Sequence, residues 1–397
     1  MADSATASSS VFNMVALPMA DDRAASWRFF RDAGDVFESQ GIWYITEPEA
    51  VRFALRSPEL FSSAGAFTQH GVDLPQIPIN IDPPDHKRYR MILDPLLSPR
   101  VVNAMEDTLR AQIGELVDAF VETGSCDVVA DIGRLYPPQV FLSLFGLPLE
   151  DRDQLVHWVE EMSAVSHSKD GGPAQSVQDA ANSLIAYLEG AIAAKREHPG
   201  DDMLTEVIER AADGQFSDDE ILGLAFLFCR AGLHTVTSAI GFLMLHLAQH
   251  PEIRRDMEKD PSLVTRVIEE SLRTEQPVPF SPRIAMNDVE VCGVQIPAGA
   301  RVRICLATAN RDADKYANPD ELDLTAGSPG HLSFGGGIHR CLGSHLARRE
   351  LKLVVEEFHR RIPDYELKQG AIPQVEWPSG TLHLSELNLV FAAGGRS

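Results

Sequence analysis

Between Ile221 and Ala248 the chain is apolar on every side of a helical projection, with Arg230, His234 and His246 as the only basic side chains inside it. A helix that is hydrophobic all round has to be buried. Ser217 and Glu220 just ahead of it have the spacing of a capping box, and a helix from Ser217 to His250 would run roughly 50 Å at 1.5 Å per residue. That length crosses a large domain. About 20 apolar residues also suffice to cross a bilayer, but the internal basic groups argue against lipid. The expectation is one long central helix of a soluble protein, a wall for whatever the fold encloses.

Around it the pattern is mostly helical. From Asp85 to about His250 apolar residues recur at helical spacing, with breaks at Ser98–Pro99, at SKDGGP (Ser168–Pro173) and at EHPGDD. Val36–Phe37 and Ile42–Thr46, separated by SQG, predict a hairpin. VEVCGVQIPAGARVRICLA predicts a second β region turning at Cys292–Gly293 and Pro297–Gly299, and the tail TLHLSELNLVF alternates again. The fold class expected is mainly α with small β-sheets. No linker or low-complexity block divides the 397 residues, so a single domain over 1–397 is expected.

The net charge of −23 argues against nucleic acid or an anionic membrane as the main partner, because the average surface would repel either. The opening MADSATASSSVF has neither the basic nor the apolar region of a secretory signal, so a cytoplasmic protein with no membrane anchor is expected. Cys126, Cys229, Cys292, Cys305 and Cys341 are scattered, odd in number and lack a C-x-x-C pair. A disulfide scaffold and an ordinary structural zinc site are both disfavoured. One cysteine then has a chemical task and the others fill space.

Cys341 stands out because it lies in FGGGIHRCLGSH, ahead of a strongly helical segment. A phosphate loop fails on register, since Arg340 falls where the third glycine should be and no lysine follows Gly343. A cysteine-phosphatase loop fails because His and Cys are not adjacent and Arg348 is one residue too far along. A metal thiolate uses every residue. Glycines at Gly335, Gly336 and Gly337 let the backbone lie against a broad planar ligand. The amides of Leu342 and Gly343 and the helix dipole stabilise a thiolate. Gly343 permits close approach, and Phe334 shields the sulfur.

FGGGIHRCLG resembles the haem-binding loop of the cytochrome P450 family. EESLR, with Glu270 and Arg273, resembles its E-x-x-R; AGLHT (Ala231–Thr235) resembles the oxygen-binding stretch of its central helix; ANRD (Ala309–Asp312) resembles the segment leading into its meander. The resemblance covers essentially the whole chain. It implies the P450 fold, with a long central helix over a buried haem b (iron protoporphyrin IX), and Cys341 as the iron ligand. It implies a monooxygenase that uses O2 and two electrons to put one oxygen atom into a C–H bond. His86, Arg90, Arg283 and His339 match its propionate contacts. Glu270 and Arg273 would support the cysteine loop through backbone carbonyls, with fewer partners than usual, because Ala326 stands where an Arg is common. His234 replaces the usual acid before Thr235; with an unperturbed pKa of roughly 6.5 it would exchange protons at neutral pH, while Thr235 orders a water.

The same resemblance points to Phe67, Val278, Phe280, Leu382 and Leu384 as contacts for an apolar substrate, a terpenoid, steroid or similar molecule, from loops that include Ser62–Asn80 and SKDGGP. Each of these side chains could equally belong to the core. No flavin or iron–sulfur motif is present, so electrons would come from NAD(P)H through a ferredoxin and its reductase. Arg340, Arg348, Arg349 and Lys352, with Lys87 and Arg88, would form a basic docking face. The protein is expected to act as a monomer. Fatty-acid hydroxylation, peroxide-driven turnover, and non-catalytic haem binding or gas sensing remain the other readings of the sequence.

Overall fold

The computed structural model describes residues 17–67, 72–163, 174–212, 214–325, 330–377 and 380–394. Helices dominate, as the periodicity predicts. Six of them position the site: α1 (Asp85–Leu93), α2 (Glu106–Phe120), α3 (Asp218–Gly232), α4 (Thr235–Gln249), α5 (Leu263–Thr274) and α6 (Ser344–Arg361).

The expected single long helix is two helices. The Ser217–Glu220 capping box is present, with Glu220 N–H donating to Ser217 Oγ at 3.2 Å and Ser217 N–H to Glu220 Oε2 at 2.7 Å. Helical order then stops after Gly232 and resumes at Thr235. Side-chain hydroxyls take over carbonyls in this turn: Thr235 Oγ1 donates to Ala231 O at 3.0 Å, and Thr237 Oγ1 to Gly133 O and Leu233 O. Such hydroxyl competition is a recognised cause of helix breaks. Gly232 lets Phe141 in, since a Cβ there would sit 2.9 Å from the Phe141 ring. The α3–α4 span is apolar enough to cross a membrane by length and composition, and 67% of its most apolar window is buried inside the protein.

The break also divides the core. α3 packs into one cluster with Phe141, Leu184 and Leu188, and α4 into another with Val117, Ile268 and Val354. α6 lies against α2, α4 and α5. Arg110 of α2 ties it down through Glu356 and Glu357, each at 2.8 Å, and Arg361 pairs with Asp118.

The main sheet has strands β1 (Val36–Ser39), β2 (Ile42–Ile45), β3 (Phe61–Ser62), β4 (Phe280–Ala285) and β5 (Arg301–Cys305), in the order β1-β2-β5-β4-β3. The predicted SQG hairpin is present, and Gln40 (φ 54°) and Gly41 (φ 77°) make its left-handed turn. Cys292 (φ 51°) and Gly293 (φ 77°) turn the Val289–Ile296 hairpin in the same way. Of the alternating tail, only Asn388–Phe391 forms a strand; Leu384 makes one bridge to Val375.

Candidate functional site

Cys341 closes a tight loop. Its N–H donates to Phe334 O at 2.8 Å, and Gly335 N–H donates to Leu332 O at 2.8 Å. Gly335 (φ 68°) and Gly337 (φ 65°) occupy the left-handed region, and a Cβ on Gly337 would meet Leu55 O at 2.0 Å. Gly337 therefore seats the loop on the Pro48–Arg56 helix, and Gly336 packs on the Leu55 side chain. The sequence reading assigned these glycines to a planar ligand; at 336 and 337 they serve protein packing. Around Gly343, by contrast, no atom of the described residues other than its chain neighbours lies within 4 Å of where a Cβ would be.

α6 begins at Ser344, three residues after Cys341, so the cysteine precedes the helix instead of starting it. Burial pushes the Cys341 thiol pKa up, against the Gly343 N–H and the charges of Arg90, Arg348 and Arg340. The side chain is nevertheless accessible. A group that is both accessible and surrounded by protein lines a concave face. Its sulfur is the candidate thiolate.

Four predicted residues from three places in the chain converge beside it. His86 on α1 is buried, and its ring lies 4.4 Å from that of His339, at 67°. Arg90, one turn on, donates to Arg340 O at 2.8 Å and pairs with Asp94 at 2.7 Å. Arg283 on β4 is buried and donates to Ser281 Oγ at 2.9 Å and Pro282 O at 2.7 Å. Burial, then Arg283, His86 and Arg90, hold the His339 pKa down to about 3. Burial and then Arg90 lower that of His86, and burial lowers Arg283 to about 10 against Asp82. The Nε2 atoms of His86 and His339 are buried and, among the described residues, have no hydrogen-bond partner. Four basic groups that repel one another, two with orphaned nitrogens, fit the carboxylates of haem.

The segment resembling the oxygen-binding stretch lies in the α3–α4 break. Ala231 is exposed, whereas α3 from Ile221 to Arg230 is buried or half-buried, and the Ala231 carbonyl accepts from Thr235. His234 is partly buried, with Nδ1 lacking a partner, and its ring stands 4.7 Å from that of His383 at 81°. Burial, then His383 and Arg134, lower its pKa to about 4. The expected titration near neutral pH is thus corrected: His234 is a neutral imidazole. His383 was not foreseen; its Nδ1 lies 3.0 Å from Thr381 O.

Glu270 and Arg273 are 3% and 1% exposed and form a two-pronged pair, Nε–Oε1 3.0 Å and Nη2–Oε2 2.8 Å. Arg273 also donates to Asn310 O (3.1 Å), Pro319 O (2.7 Å) and Glu321 O (2.5 Å). These carbonyls belong to the meander, not to the cysteine loop as expected. Asn310 completes the link, accepting from Leu332 N–H at 2.6 Å and donating to Ser333 Oγ at 2.8 Å. Ala326 lies outside the described residues. Phe334 is covered by the Arg348 guanidinium at 4.3 Å, and Arg348 is held by Glu269 at 2.6 Å. Burial works against Glu269, but hydrogen bonds from Arg348 and His331 hold its carboxyl at about 2.

The anticipated basic face is mostly neutralised. Arg348, Arg349, Lys352 and Arg88 pair with Glu269, Glu106, Glu356 and Glu220; among the described residues Arg340 and Lys87 have no acidic partner. A groove of about 290 Å³ lies alongside α5 and α6 there, lined by Asn103, Glu269, His345, Arg349 and Lys352. Three substrate assignments are also corrected. Phe280 packs in a cluster with Trp27, Phe30 and Tyr44 at 5.4–6.1 Å, and Leu382 is core, 1% exposed. Leu384 is likewise core, packed on Gly241. Phe67 is half-buried and Val278 is 36% exposed. SKDGGP and residues 68–71 lie outside the described residues.

The chain matches the family model Cytochrome P450 over residues 35–362. It is 35% identical to a probable cytochrome P450 127A1 of Sinorhizobium fredii over 91% of this chain and 88% of the relative. It is 34% identical to a vitamin D(3) 25-hydroxylase of Pseudonocardia autotrophica over 83% and 82%. Its fold superposes on the crystal structure of a myxobacterial cytochrome P450, CYP267B1 with myristic acid, at a TM-score of 0.87 and 28% identity, covering 96% and 98% of the two chains. With the cysteine loop, the basic cluster and the Glu270–Arg273 pair in one structure, the chain belongs to the cytochrome P450 family and is a haem- and iron-binding monooxygenase, an oxygen-incorporating oxidoreductase.

Proposed function

We propose that this chain inserts one oxygen atom of O2 into a C–H bond of an apolar small molecule, using haem b ligated by Cys341. The carrying observation is the convergence of His86, Arg90, Arg283 and His339 beside Cys341, two of them with orphaned buried nitrogens. Thiolate-ligated haem supplies O–O cleavage when bound. The four basic groups hold the propionates, Phe334 covers the sulfur, and Phe67 and Val278 contact substrate. Vitamin D(3) and myristic acid, named for two relatives, both have long apolar bodies. Electrons arrive from NAD(P)H through a ferredoxin, toward which Arg340 and Lys87, without an acidic partner among the described residues, offer cations. The protein works as a cytoplasmic monomer of one domain.

Arg283→Ala removes a charge-assisted contact worth about 1.5–3 kcal/mol from a buried carboxylate. The variant should purify with a lower haem-to-protein ratio, and Arg90→Ala should do so less, because Arg90 already has Asp94. Full haem occupancy in both would show that the pocket lies elsewhere.

Thr235 and His234 deliver protons in this reading. Thr235→Ala should keep NAD(P)H consumption but release peroxide in place of product. His234→Ala should slow turnover by on the order of 10²-fold, and by the same factor at pH 6 and pH 8, because a pKa of about 4 leaves the imidazole neutral across that range. Product and peroxide are measured against NAD(P)H consumed. Unchanged coupling in both variants ends the proton-delivery role, and equal product yield from peroxide without a reductase replaces the ferredoxin reading with a peroxide-driven one.

A further inference from the structure

Arg230 lies one residue ahead of Ala231 and one turn ahead of His234, near the end of α3. Burial lowers its pKa to about 10, and no charged group of either sign contributes to the shift. The guanidinium therefore stays charged at neutral pH. Its contacts are weak: Gln76 Oε1 at 3.5 Å, long for a hydrogen bond, and the Phe226 ring at 5.9 Å. Among the described residues it has no carboxylate partner.

Most buried arginines are better satisfied. Arg273 has Glu270, Arg311 has Asp320, and Arg52 has Asp312; Arg254 lacks a carboxylate among the described residues but donates to Leu247 O at 2.8 Å and lies 4.0 Å over the Tyr365 ring, and Arg283 belongs to the basic cluster already described. Arg230 is partly buried, and the desolvated part of an uncompensated charge is unfavourable without a partner.

The surroundings give Arg230 a direction. Gly223 and Arg230 are seven residues apart, two turns along one face of α3, and the 72–80 segment runs over that face. Pro75 O would lie 2.1 Å from a Cβ on Gly223, and Gln76, the next residue, reaches Arg230. At the end of the same turn Asn80 N–H donates to Gln76 O at 2.9 Å, and both polar atoms of the Asn80 side chain are buried without a partner among the described residues. This segment follows Phe67 in the chain. On the neighbouring side of the helix Ala231 is exposed. A charged donor and the Gln76 amide thus sit beside the exposed Ala231, with Asn80 at the end of the same turn.

We propose that Arg230, assisted by Gln76 and Asn80, receives a carboxylate of the substrate, so that the substrate class is an apolar body bearing an acid group. The proposal rests on the haem-thiolate reading above and narrows its substrate. A guanidinium binds a carboxylate through two parallel N–H donors, which lysine or a neutral amide cannot reproduce.

The test is calorimetric titration of the purified holoenzyme with two matched pairs, dodecanoate against methyl dodecanoate and cholanate against methyl cholanate, with the haem absorption shift read in parallel. The parent should bind at least one acid about tenfold or more tightly than its ester, the scale of a charge-assisted hydrogen bond. Arg230→Gln should lose that preference and keep ester affinity, and Arg230→Lys should retain part of it. Absence of an acid preference in both pairs overturns the proposal. So does an equal loss of acid and ester binding in Arg230→Gln, which would make Arg230 a packing residue of the 72–80 segment. The reduced carbon monoxide spectrum separates this from the underlying reading: a parent without the thiolate band fails that reading, whereas a normal band with no acid preference fails only this one.

Discussion

Cys341→Ser should purify folded but without the red-shifted band of a thiolate-ligated, reduced carbon monoxide complex, and its turnover should fall below detection. The scaffold of the loop does not depend on the sulfur. It is held by Cys341 N–H to Phe334 O, Gly335 N–H to Leu332 O, and the seat of Gly337 on Leu55, all of which survive the substitution. What is lost is the soft anionic donor that iron requires, since a serine hydroxyl does not ionise under these conditions. The other cysteines provide the control. Cys126, Cys229 and Cys305 are buried in the core with thiol pKa values pushed up by burial, and Cys292 turns an exposed hairpin. Serine at Cys292 should leave the band intact. A normal band in Cys341→Ser would refute the ligand assignment.

What could be read from the sequence divides along a physical line. Patterns local in the chain were legible: the apolar helix with its Ser217 cap, the SQG hairpin, the glycine-cysteine loop and the Glu270–Arg273 spacing all depend on residues within a few positions of one another. What was missed depends on distant partners. The break at Leu233–His234 needs Gly133 O for Thr237 and the Phe141 ring for Gly232, and no periodicity signals either. The low pKa of His234 comes from burial and from His383, 149 positions later in the numbering of the chain. Arg348 and Arg349 looked cationic until Glu269 and Glu106 were placed beside them. Phe280 could be read as a pocket residue or as core, and only the positions of Trp27, Phe30 and Tyr44 decide for the core. Asn310, which joins the meander to the cysteine loop, sat inside a quoted motif without its side chain being assigned a task.

That joint makes Arg273→Ala the most disruptive substitution expected outside the metal ligand. The change leaves the Glu270 carboxylate 3% exposed without its counter-charge, and strips a donor from Asn310 O, Pro319 O and Glu321 O together. Breaking a buried pair by removing one partner costs about 3–5 kcal/mol, because the remaining charge stays desolvated. Glu270 retains only the Asp323 N–H, at 2.9 Å. Lysine at 273 would restore the charge but not the planar fork that reaches Glu270 and three carbonyls at once, so Arg273→Lys should recover only part of the loss. Because Asn310 carries Leu332 and Ser333 through its side chain, the damage should extend to the cysteine loop, and haem content should fall together with stability. Denaturant unfolding and the haem-to-protein ratio are measured on both variants. An Arg273→Ala protein within about 1 kcal/mol of the parent, the range of an exposed pair, with full haem, would mean that the meander is held by other contacts and that the pair is dispensable.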